Sequence, residues 1–311
     1  MKKKDIGKLL QEYFSFRKKM GFKLEKHIRP LEEFVELFNN KKTSILTNEL
    51  SLEFAKLPTG CDPAWWTERL GMLRSFARYW KNYDSRIQIP PSNLLPGEYK
   101  RPNPYIYSTK EISNILKAIN EIKTINKNVY LLIIGLLIVT GARVGEILAL
   151  NITDVDLNAG TIVIKQGKSN RSRIIPVHPS TIKALSQYLL ERGKKLPANQ
   201  DSPFFINKDK RRVTHAAIWK IFNSALVRLN LREIKQSKGP RIHDLRHTFS
   251  VNSIINFYNN GTNIENNIYA LSVYLGHKSL RCTYYYLTAV PRLMSIALDK
   301  VNQKLENCNE K

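Results

Sequence analysis

A proline-rich segment, residues 88–104, divides this 311-residue chain. Its sequence, Q-I-P-P-S-N-L-L-P-G-E-Y-K-R-P-N-P, contains five prolines. Because proline fixes φ and lacks an amide hydrogen, the segment can form neither a helix nor a central strand. Each flanking part is long enough to bury a core of its own. The sequence therefore predicts two domains, residues 1–87 and 105–311, joined by a stiff, extended linker.

Both predicted domains are basic. The chain has 50 lysines and arginines against 26 aspartates and glutamates, which gives a net charge of +24. Residues 1–100 carry +7 of this charge and residues 101–311 carry +17. Positive charge spread over the full length is typical of a protein whose two parts both contact one long polyanion. Solubility alone, or binding to an anionic membrane surface, is the alternative interpretation.

The cysteines and the apolar segments indicate a cytoplasmic protein. Cys61, Cys282 and Cys308 are odd in number and lack metal-type spacing, which argues against a disulfide framework and favours a reducing compartment. The N-terminal sequence M-K-K-K-D-I-G-K-L-L lacks the apolar run of a signal peptide. The most apolar segment, residues 129–139, is too short to span a bilayer and predicts a buried helix.

Apolar periodicity predicts a fold that is mainly α with a small antiparallel β-sheet. In the first domain, helices are predicted at residues 5–20, 28–39 and 48–57, with a fourth following Asp62-Pro63. In the second domain, they are predicted at residues 109–120, 128–139, 179–192, 213–229, 243–258 and 267–275, with another beginning near Arg143. Alternating β-branched residues predict strands at residues 152–157, 161–165 and 173–177.

Residues 241–287 concentrate side chains suited to phosphate chemistry. This stretch begins R-I-H-D-L-R-H-T-F and ends L-G-H-K-S-L-R-C-T-Y-Y-Y-L. His243 and Arg246 are three residues apart and share one face of a helix. His277 precedes Tyr286 by nine residues. Two imidazoles, a guanidinium and a phenol that converge would form a phosphate-handling site.

The chain resembles the tyrosine recombinase (phage integrase) family over roughly residues 105–300. The matching motifs are T-G-A-R-V-G-E-I-L-A-L, G-K-S-N-R-S-R-I-I-P-V, H-D-L-R-H-T-F, and L-G-H with a tyrosine nine residues after its histidine. The resemblance implies an N-terminal helical core-binding domain and a C-terminal catalytic domain that cuts DNA through a 3′-phosphotyrosyl intermediate. The candidate catalytic residues are Arg143, Lys168, His243, Arg246, His277 and Tyr286.

Each candidate residue matches a requirement of direct displacement at a phosphodiester. Arg143 and Arg246 would clamp the phosphate oxygens through charge-assisted hydrogen bonds, so no cofactor or metal is implied. His243 is the candidate proton acceptor, and His277 is the second hydrogen-bond donor to the phosphate. Lys168, at the tip of the basic hairpin, would protonate the departing 5′-oxygen.

Several assignments within this set stay open. Tyr286 is chosen over Tyr284 and Tyr285 by the family's spacing alone. Lys165 lies near the same hairpin as Lys168 and is the alternative to it. Glu146, one turn after Arg143, fits a supporting role better than a reactive one, and His247 fits packing or hydrogen bonding better than catalysis.

The resemblance also implies partners. These are double-stranded DNA with specific recombination sites and three further copies of the chain, which together form a homo-tetramer. An apolar stripe follows Pro291 and includes Leu293, Ile296 and Val301; it predicts a C-terminal helix that docks on a neighbouring copy, or packs on its own domain. Because the chain begins at the core-binding helices, we expect no further DNA-binding domain ahead of them. The 34-residue gap from His243 to His277 resembles an insertion seen in some transposon-borne members.

Three alternatives to a mobile-element recombinase remain. The spacing of His243 and His247, with Asp244 between them, is compatible with a zinc hydrolase, although Arg246 on the same face would repel the metal. A DNA-binding relative without catalysis is the second. A recombinase that resolves chromosome or plasmid dimers is the third.

We expect Lys168→Ala to slow cleavage of ordinary DNA but to cleave DNA with sulfur at the 5′-bridging position at a near-normal rate. A thiolate leaves without a proton, so the sulfur substrate needs no general acid, a role typically worth about 10²–10⁴-fold. Single-turnover cleavage of both substrates measures this. Equal impairment on both would mean that Lys168 only positions the phosphate.

Overall fold

The structure is a computed structural model that describes residues 5–41, 43–95, 103–165, 172–194, 202–233, 239–260, 263–289 and 295. The chain divides into two compact units, residues 1–101 and 102–311. This division falls inside the predicted linker. Within the described ranges, no helix combines the length and the apolarity needed to cross a membrane.

The described residues of the first unit form four helices around an aromatic core. They are α1 (Ile6–Lys19), α2 (Ile28–Asn40), α3 (Asn48–Lys56) and α4 (Pro63–Trp80). Side-chain caps set several of these starts, as at α4, where Asp62 accepts a hydrogen bond from the Ala64 amide and Pro63 occupies the first turn. Phe34, Phe54 and Phe76 are fully buried at the centre of the unit.

The first half of the proline-rich segment packs on this unit. The Gln88 amide donates to the Leu46 carbonyl at 3.0 Å. The Arg74 guanidinium donates to the carbonyls of Pro90 and Pro91 at 2.6 and 2.8 Å. Proline has no amide hydrogen, but its carbonyl remains a good acceptor. Residues 88–91 are thus held by backbone hydrogen bonds to the helical unit.

The second unit combines eight helices and a small sheet among its described residues. The helices are α5 (Thr109–Glu121), α6 (Lys127–Thr140), α7 (Val144–Ala149), α8 (Pro179–Gly193), α9 (His215–Arg228), α10 (Asp244–Asn259), α11 (Ile264–Leu275) and α12 (Arg281–Ala289). The strands are β1 (Val155–Asp156), β2 (Thr161–Ile164) and β3 (Arg173–Pro176). They pair antiparallel in the order β1-β2-β3, with Ile162 opposite Ile175. The predicted fold class is confirmed.

The predicted apolar helix is α6, which is central to the second unit. Ile133, Ile134, Leu136 and Leu137 are all nearly fully buried. They pack in one cluster with α5, α7, the sheet and α9. The cluster fixes the end of α6, from which the residues around Arg143 continue.

Two predicted element starts differ from the structure. Ile152–Asp154 form a 3-10 turn instead of the beginning of a strand, because the Asp154 carboxylate accepts from the Asn151 amide at 2.9 Å and closes the turn. Helix α11 begins at Ile264 and not at residue 267, because the Asn263 side chain caps it by accepting from the Asn266 amide. Both differences come from short polar side chains that the apolar periodicity does not register.

Gly141 ends α6 in the left-handed conformation, with φ of 60°. A Cβ atom at this position would lie 2.4 Å from Phe249 Cδ1 on α10. Both the backbone conformation and the close approach therefore require glycine.

We expect Gly141→Ala to lower the free energy of unfolding by at least about 1–2 kcal/mol, because alanine is strained at positive φ and would also clash with Phe249. Gly135→Ala, inside the same helix with open space around its Cα, is the matched control and should raise stability by about 0.5–1 kcal/mol. Urea unfolding of both variants measures the difference. Equal stability of the two variants would contradict the strain at Gly141.

Candidate active site

Arg143 is held at the start of α7 by a carboxylate one turn later. The Glu146 side chain accepts from the Arg143 amide at 2.9 Å and from its guanidinium at 2.8 Å. A second guanidinium nitrogen of Arg143 donates to the Gly276 carbonyl at 3.3 Å. As predicted, Glu146 supports a basic residue. Arg143 is therefore oriented by two separate parts of the fold, and 26% of its side chain remains exposed.

Arg173, the first residue of β3, binds the same carboxylate. Its terminal nitrogens donate to both Glu146 oxygens, at 3.1 and 2.7 Å, and its Nε donates to the Tyr274 carbonyl at 2.7 Å. Burial alone would raise the pKa of Glu146, but hydrogen bonds from Arg173 and Arg143 outweigh it and lower the pKa to about 2. Glu146 is therefore ionised and shared between two arginines.

Arg173 lies in the motif G-K-S-N-R-S-R-I-I-P-V, but the sequence alone does not mark it as a residue of the site. A charged residue in a short strand is ordinarily solvent-facing. Here the Arg173 side chain is only 7% exposed. The available signal was its place directly after a hairpin in an otherwise apolar strand, and that signal does not identify Glu146 as the partner.

Arg246 lies in the first turn of α10 and is 3% exposed. Its terminal nitrogens donate to the carbonyls of Gly141 and Leu275, at 2.9 and 2.6 Å. Both carbonyls lie at helix C-terminal ends, of α6 and α11, where the helix dipole is negative. Burial, together with the nearby charge of Arg143, lowers the pKa of Arg246 to about 10. The guanidinium remains charged at neutral pH.

His277 lies between α11 and α12, next to the nucleophile candidate. Gly276 ends α11 in the left-handed conformation, with φ of 64°. The ring Nδ1 of His277 lies 2.8 Å from the Thr283 hydroxyl, and the ring centroid lies 6.4 Å from that of Tyr286. These contacts set the orientation of the imidazole beside the phenol.

The three adjacent tyrosines of α12 have different surroundings. Tyr284 is 42% exposed, and Tyr285 is partly buried. Tyr286 is 1% exposed and packs in an apolar cluster with Val251, Ile254 and Leu275. Burial and packing thus distinguish Tyr286 from its two neighbours, and its role as the nucleophile stays a prediction.

Two histidines lie at the start of α10. The His243 ring stacks edge to face on the His247 ring, with centroids 4.9 Å apart. Nδ1 of His247 lies 2.8 Å from the Tyr286 hydroxyl, and its Nε2 lies 3.9 Å from the Asp244 carboxylate. His247 thus contacts the nucleophile candidate at hydrogen-bond distance. One ring nitrogen of His247 faces a phenol and the other faces a carboxylate. A zinc hydrolase would instead need His243 and His247 both to point their nitrogens at a shared metal.

The lysine candidates are only partly described. Lys168 and the hairpin tip, residues 166–171, lie outside the described residues. Lys165 directly follows β2, and its ammonium pairs with the Asp154 carboxylate at 2.5 Å. Over the described part of the chain, there is no group of three or more His, Cys, Asp or Glu side chains arranged to hold a metal.

The site can bind a dianionic or monoanionic oxyacid group. Arg143 and Arg246 repel each other: after burial, the charge of Arg143 is the next cause of the lowered pKa of Arg246. A phosphate near both guanidiniums would relieve that repulsion and accept charge-assisted hydrogen bonds. Because both side chains are already held by the fold, little reorganisation accompanies binding.

The comparisons with known proteins agree with this geometry. A family model described as the phage integrase family matches residues 107–291. Over 305 residues the chain is 36% identical to y4rB of Sinorhizobium fredii (strain NBRC 101917 / NGR234), named as an integrase/recombinase, with 96% of this chain and 97% of that protein covered.

Two solved structures have a similar fold. One is the XerH site-specific recombinase bound to palindromic difH substrate, with a TM-score of 0.67, 24% identity, and coverage of 86% of this chain and 77% of that one. The other is the Tn1549 transposon integrase in complex with transposon right end DNA, with a TM-score of 0.65, 17% identity, and coverage of 89% and 94%.

The chain therefore belongs to the phage integrase family, the tyrosine recombinases, enzymes that cleave and rejoin DNA strands.

We expect Glu146→Gln to lower the free energy of unfolding by about 3 kcal/mol at neutral pH, from the fall of the pKa from its ordinary 4.5 to about 2. A depressed folded-state pKa stabilises the protein above the unfolded value and loses that effect as pH falls. The difference between native and variant should therefore narrow from about pH 5 downward and keep narrowing toward pH 2. Denaturant unfolding at several pH values measures it. A difference independent of pH would contradict the ionised, shared carboxylate.

Proposed function

We propose that this chain is a site-specific recombinase that attacks DNA with Tyr286 and forms a 3′-phosphotyrosyl intermediate. The observation that carries the proposal is the Tyr286 hydroxyl, held 2.8 Å from a histidine nitrogen beside two immobilised arginines. A phenol with its ordinary pKa of about 10 is ionised to roughly one part in a thousand at pH 7. It therefore needs a proton acceptor, a positive site, or both, and this site offers both.

The remaining candidates would complete the reaction. Arg143 and Arg246 would hold the non-bridging oxygens of the phosphate and stabilise the charge that develops on them. His277, oriented by Thr283, would donate a further hydrogen bond to the phosphate. Lys168 would protonate the departing 5′-oxygen. The phosphotyrosyl ester keeps the energy of the broken bond, so attack by a second 5′-hydroxyl rejoins a strand without ATP.

Double-stranded DNA is the proposed partner of both units. A net charge of +24, spread over both halves, fits a protein that follows the phosphate backbone. The solved structures of XerH and of the Tn1549 integrase are complexes with difH substrate and with transposon right end DNA, respectively. Residues 1–87 would grip the duplex as a core-binding domain, and residues 105–311 would carry out the cleavage.

We further propose that the substrate sites belong to a mobile element, with integration, excision or transposition as the outcome. The resolution of chromosome or plasmid dimers is the alternative.

Strand exchange pairs two duplexes, so we propose a homo-tetramer linked through the segment that follows Pro291. That segment lies outside the described residues, apart from Ser295. The mass of the complex assembled on paired half-sites, measured with the full chain and with a chain ending at Thr288, tests the tetramer; a tetramer that forms equally well without the segment would refute the link.

We expect Tyr286→Phe to bind DNA normally but to form no covalent adduct, because phenylalanine lacks the attacking oxygen. The probe is a duplex that is selected from a random-sequence pool for binding to the Tyr286→Phe variant. Copies of this duplex are then prepared with a nick at successive positions, so that a cleaved strand stays attached to the protein. Denaturing gels measure the adduct, and gel shifts measure binding.

Tyr285→Phe, one position earlier on α12, is the matched control and should form the adduct. An adduct that persists in Tyr286→Phe and vanishes in Tyr285→Phe would move the nucleophile by one residue. A native chain that forms no adduct on any nicked copy would overturn the proposed function itself.

A further inference from the structure

Three buried groups lie next to one another, from a carboxylate to the nucleophile candidate. Asp244, His247 and Tyr286 are 1%, 5% and 1% exposed. Nδ1 of His247 lies 2.8 Å from the Tyr286 hydroxyl, and its Nε2 faces Asp244 Oδ1 at 3.9 Å. The order is acid, imidazole, nucleophile, in which a third group orients a base that contacts the attacking atom.

The Asp244 carboxylate is held in place by Arg241. The Arg241 amide donates to Asp244 Oδ2 at 2.8 Å, and the Arg241 guanidinium donates to Oδ1 at 3.3 Å. The Asp244 carbonyl accepts from the Thr248 hydroxyl, which in turn accepts from the Tyr107 amide at 2.9 Å. The first turn of α10 is thus tied to a distant strand of chain, and Asp244 cannot move without breaking these bonds.

We propose that His247 is the proton acceptor for Tyr286, with Asp244 as the residue that positions it. This proposal rests on the proposed function, in which Tyr286 is the nucleophile. It assigns to His247 the role that the sequence pattern suggested for His243.

The proposed step balances as follows. The Tyr286 O–H bond breaks, and the proton passes to His247 Nδ1 while the phenolic oxygen bonds to phosphorus. The bond from phosphorus to the 5′-oxygen breaks, and that oxygen takes a separate proton from the general acid. The imidazolium then faces the Asp244 carboxylate. On rejoining, the 5′-hydroxyl attacks, its proton returns to the general acid, and His247 gives its proton back to the leaving tyrosine.

The surroundings favour transfer of the proton from Tyr286 to His247. His243 stacks on the His247 ring from one side. Across the site, His277 lies beside the Tyr286 ring, and the charge on Tyr286 acts on Arg246. A positive charge near the phenol favours its anion, and a negative charge near the imidazole favours its cation. Both fields therefore favour transfer of the proton from Tyr286 to His247.

The test makes the phenol more acidic, so that the base is needed less. Fluorotyrosine replaces Tyr286 by amber suppression, in the native chain and in His247→Gln. Adduct formation is timed on the selected nicked duplex described above. With ordinary tyrosine, His247→Gln should slow adduct formation by at least about 100-fold, the lower range for a general base. With fluorotyrosine, most of that loss should be recovered, whereas the native chain should change little.

Controls separate this role from a structural one. His215→Gln, at an exposed position in the first turn of α9, should match the native chain. Asp244→Asn should slow adduct formation when residue 286 is ordinary tyrosine. Fluorotyrosine at position 286 should restore part of that rate. Fluorotyrosine in the native sequence also tests the idea without any variant at 247: a strong acceleration there would mean that no base assists the phenol, and would overturn the proposal.

Further outcomes would also overturn it. If His247→Gln cleaves as fast as the native chain, His247 only stores the tyrosine. If it is equally slow with both tyrosines, its role is positional. If His243→Gln shows the loss and recovery instead, His243 is the acceptor. Absence of any adduct in the native chain would defeat the proposed function, a result distinct from all of these.

Discussion

The site depends on one buried carboxylate shared by two guanidiniums. Glu146 binds Arg143 and Arg173, and through them joins the start of α7, the start of β3 and the end of α11. A buried carboxylate left unpaired would be strongly unfavourable, so all three elements must come together for the charge to be tolerated. The network leaves Arg143 charged, oriented and partly open to solvent, which is the condition that phosphate binding requires.

The second constraint is the use of helix C-terminal ends as acceptors. Gly141 and Gly276 each end a helix in the left-handed conformation, and each offers its carbonyl to an arginine. The negative end of a helix dipole stabilises a guanidinium there without neutralising it. Both arginines therefore keep their charge while losing most of their freedom. A site arranged in this way undergoes little rearrangement when charge develops on the phosphate.

The side of the site that carries Tyr286 is built from α10 and α12. Tyr286 is buried in an apolar cluster, and its hydroxyl reaches His247, 39 residues earlier in the chain. The same burial that protects the tyrosine makes its activation depend on the groups that contact it.

The sequence by itself determined the fold class, most helix bounds and the set of candidate residues. Periodicity and caps are local, so α1 to α10 begin within about two residues of where the pattern predicts them, and those with a predicted end also end within about two residues of it. It did not determine which groups touch. Arg173 and Glu146 are 27 residues apart, and Arg246 contacts carbonyls 105 and 29 residues away. The choice of His247 as the partner of Tyr286 likewise arises only when α10 and α12 pack together. Local propensity has a range of a few residues, whereas the contacts that orient this site depend on how distant elements close around buried charge.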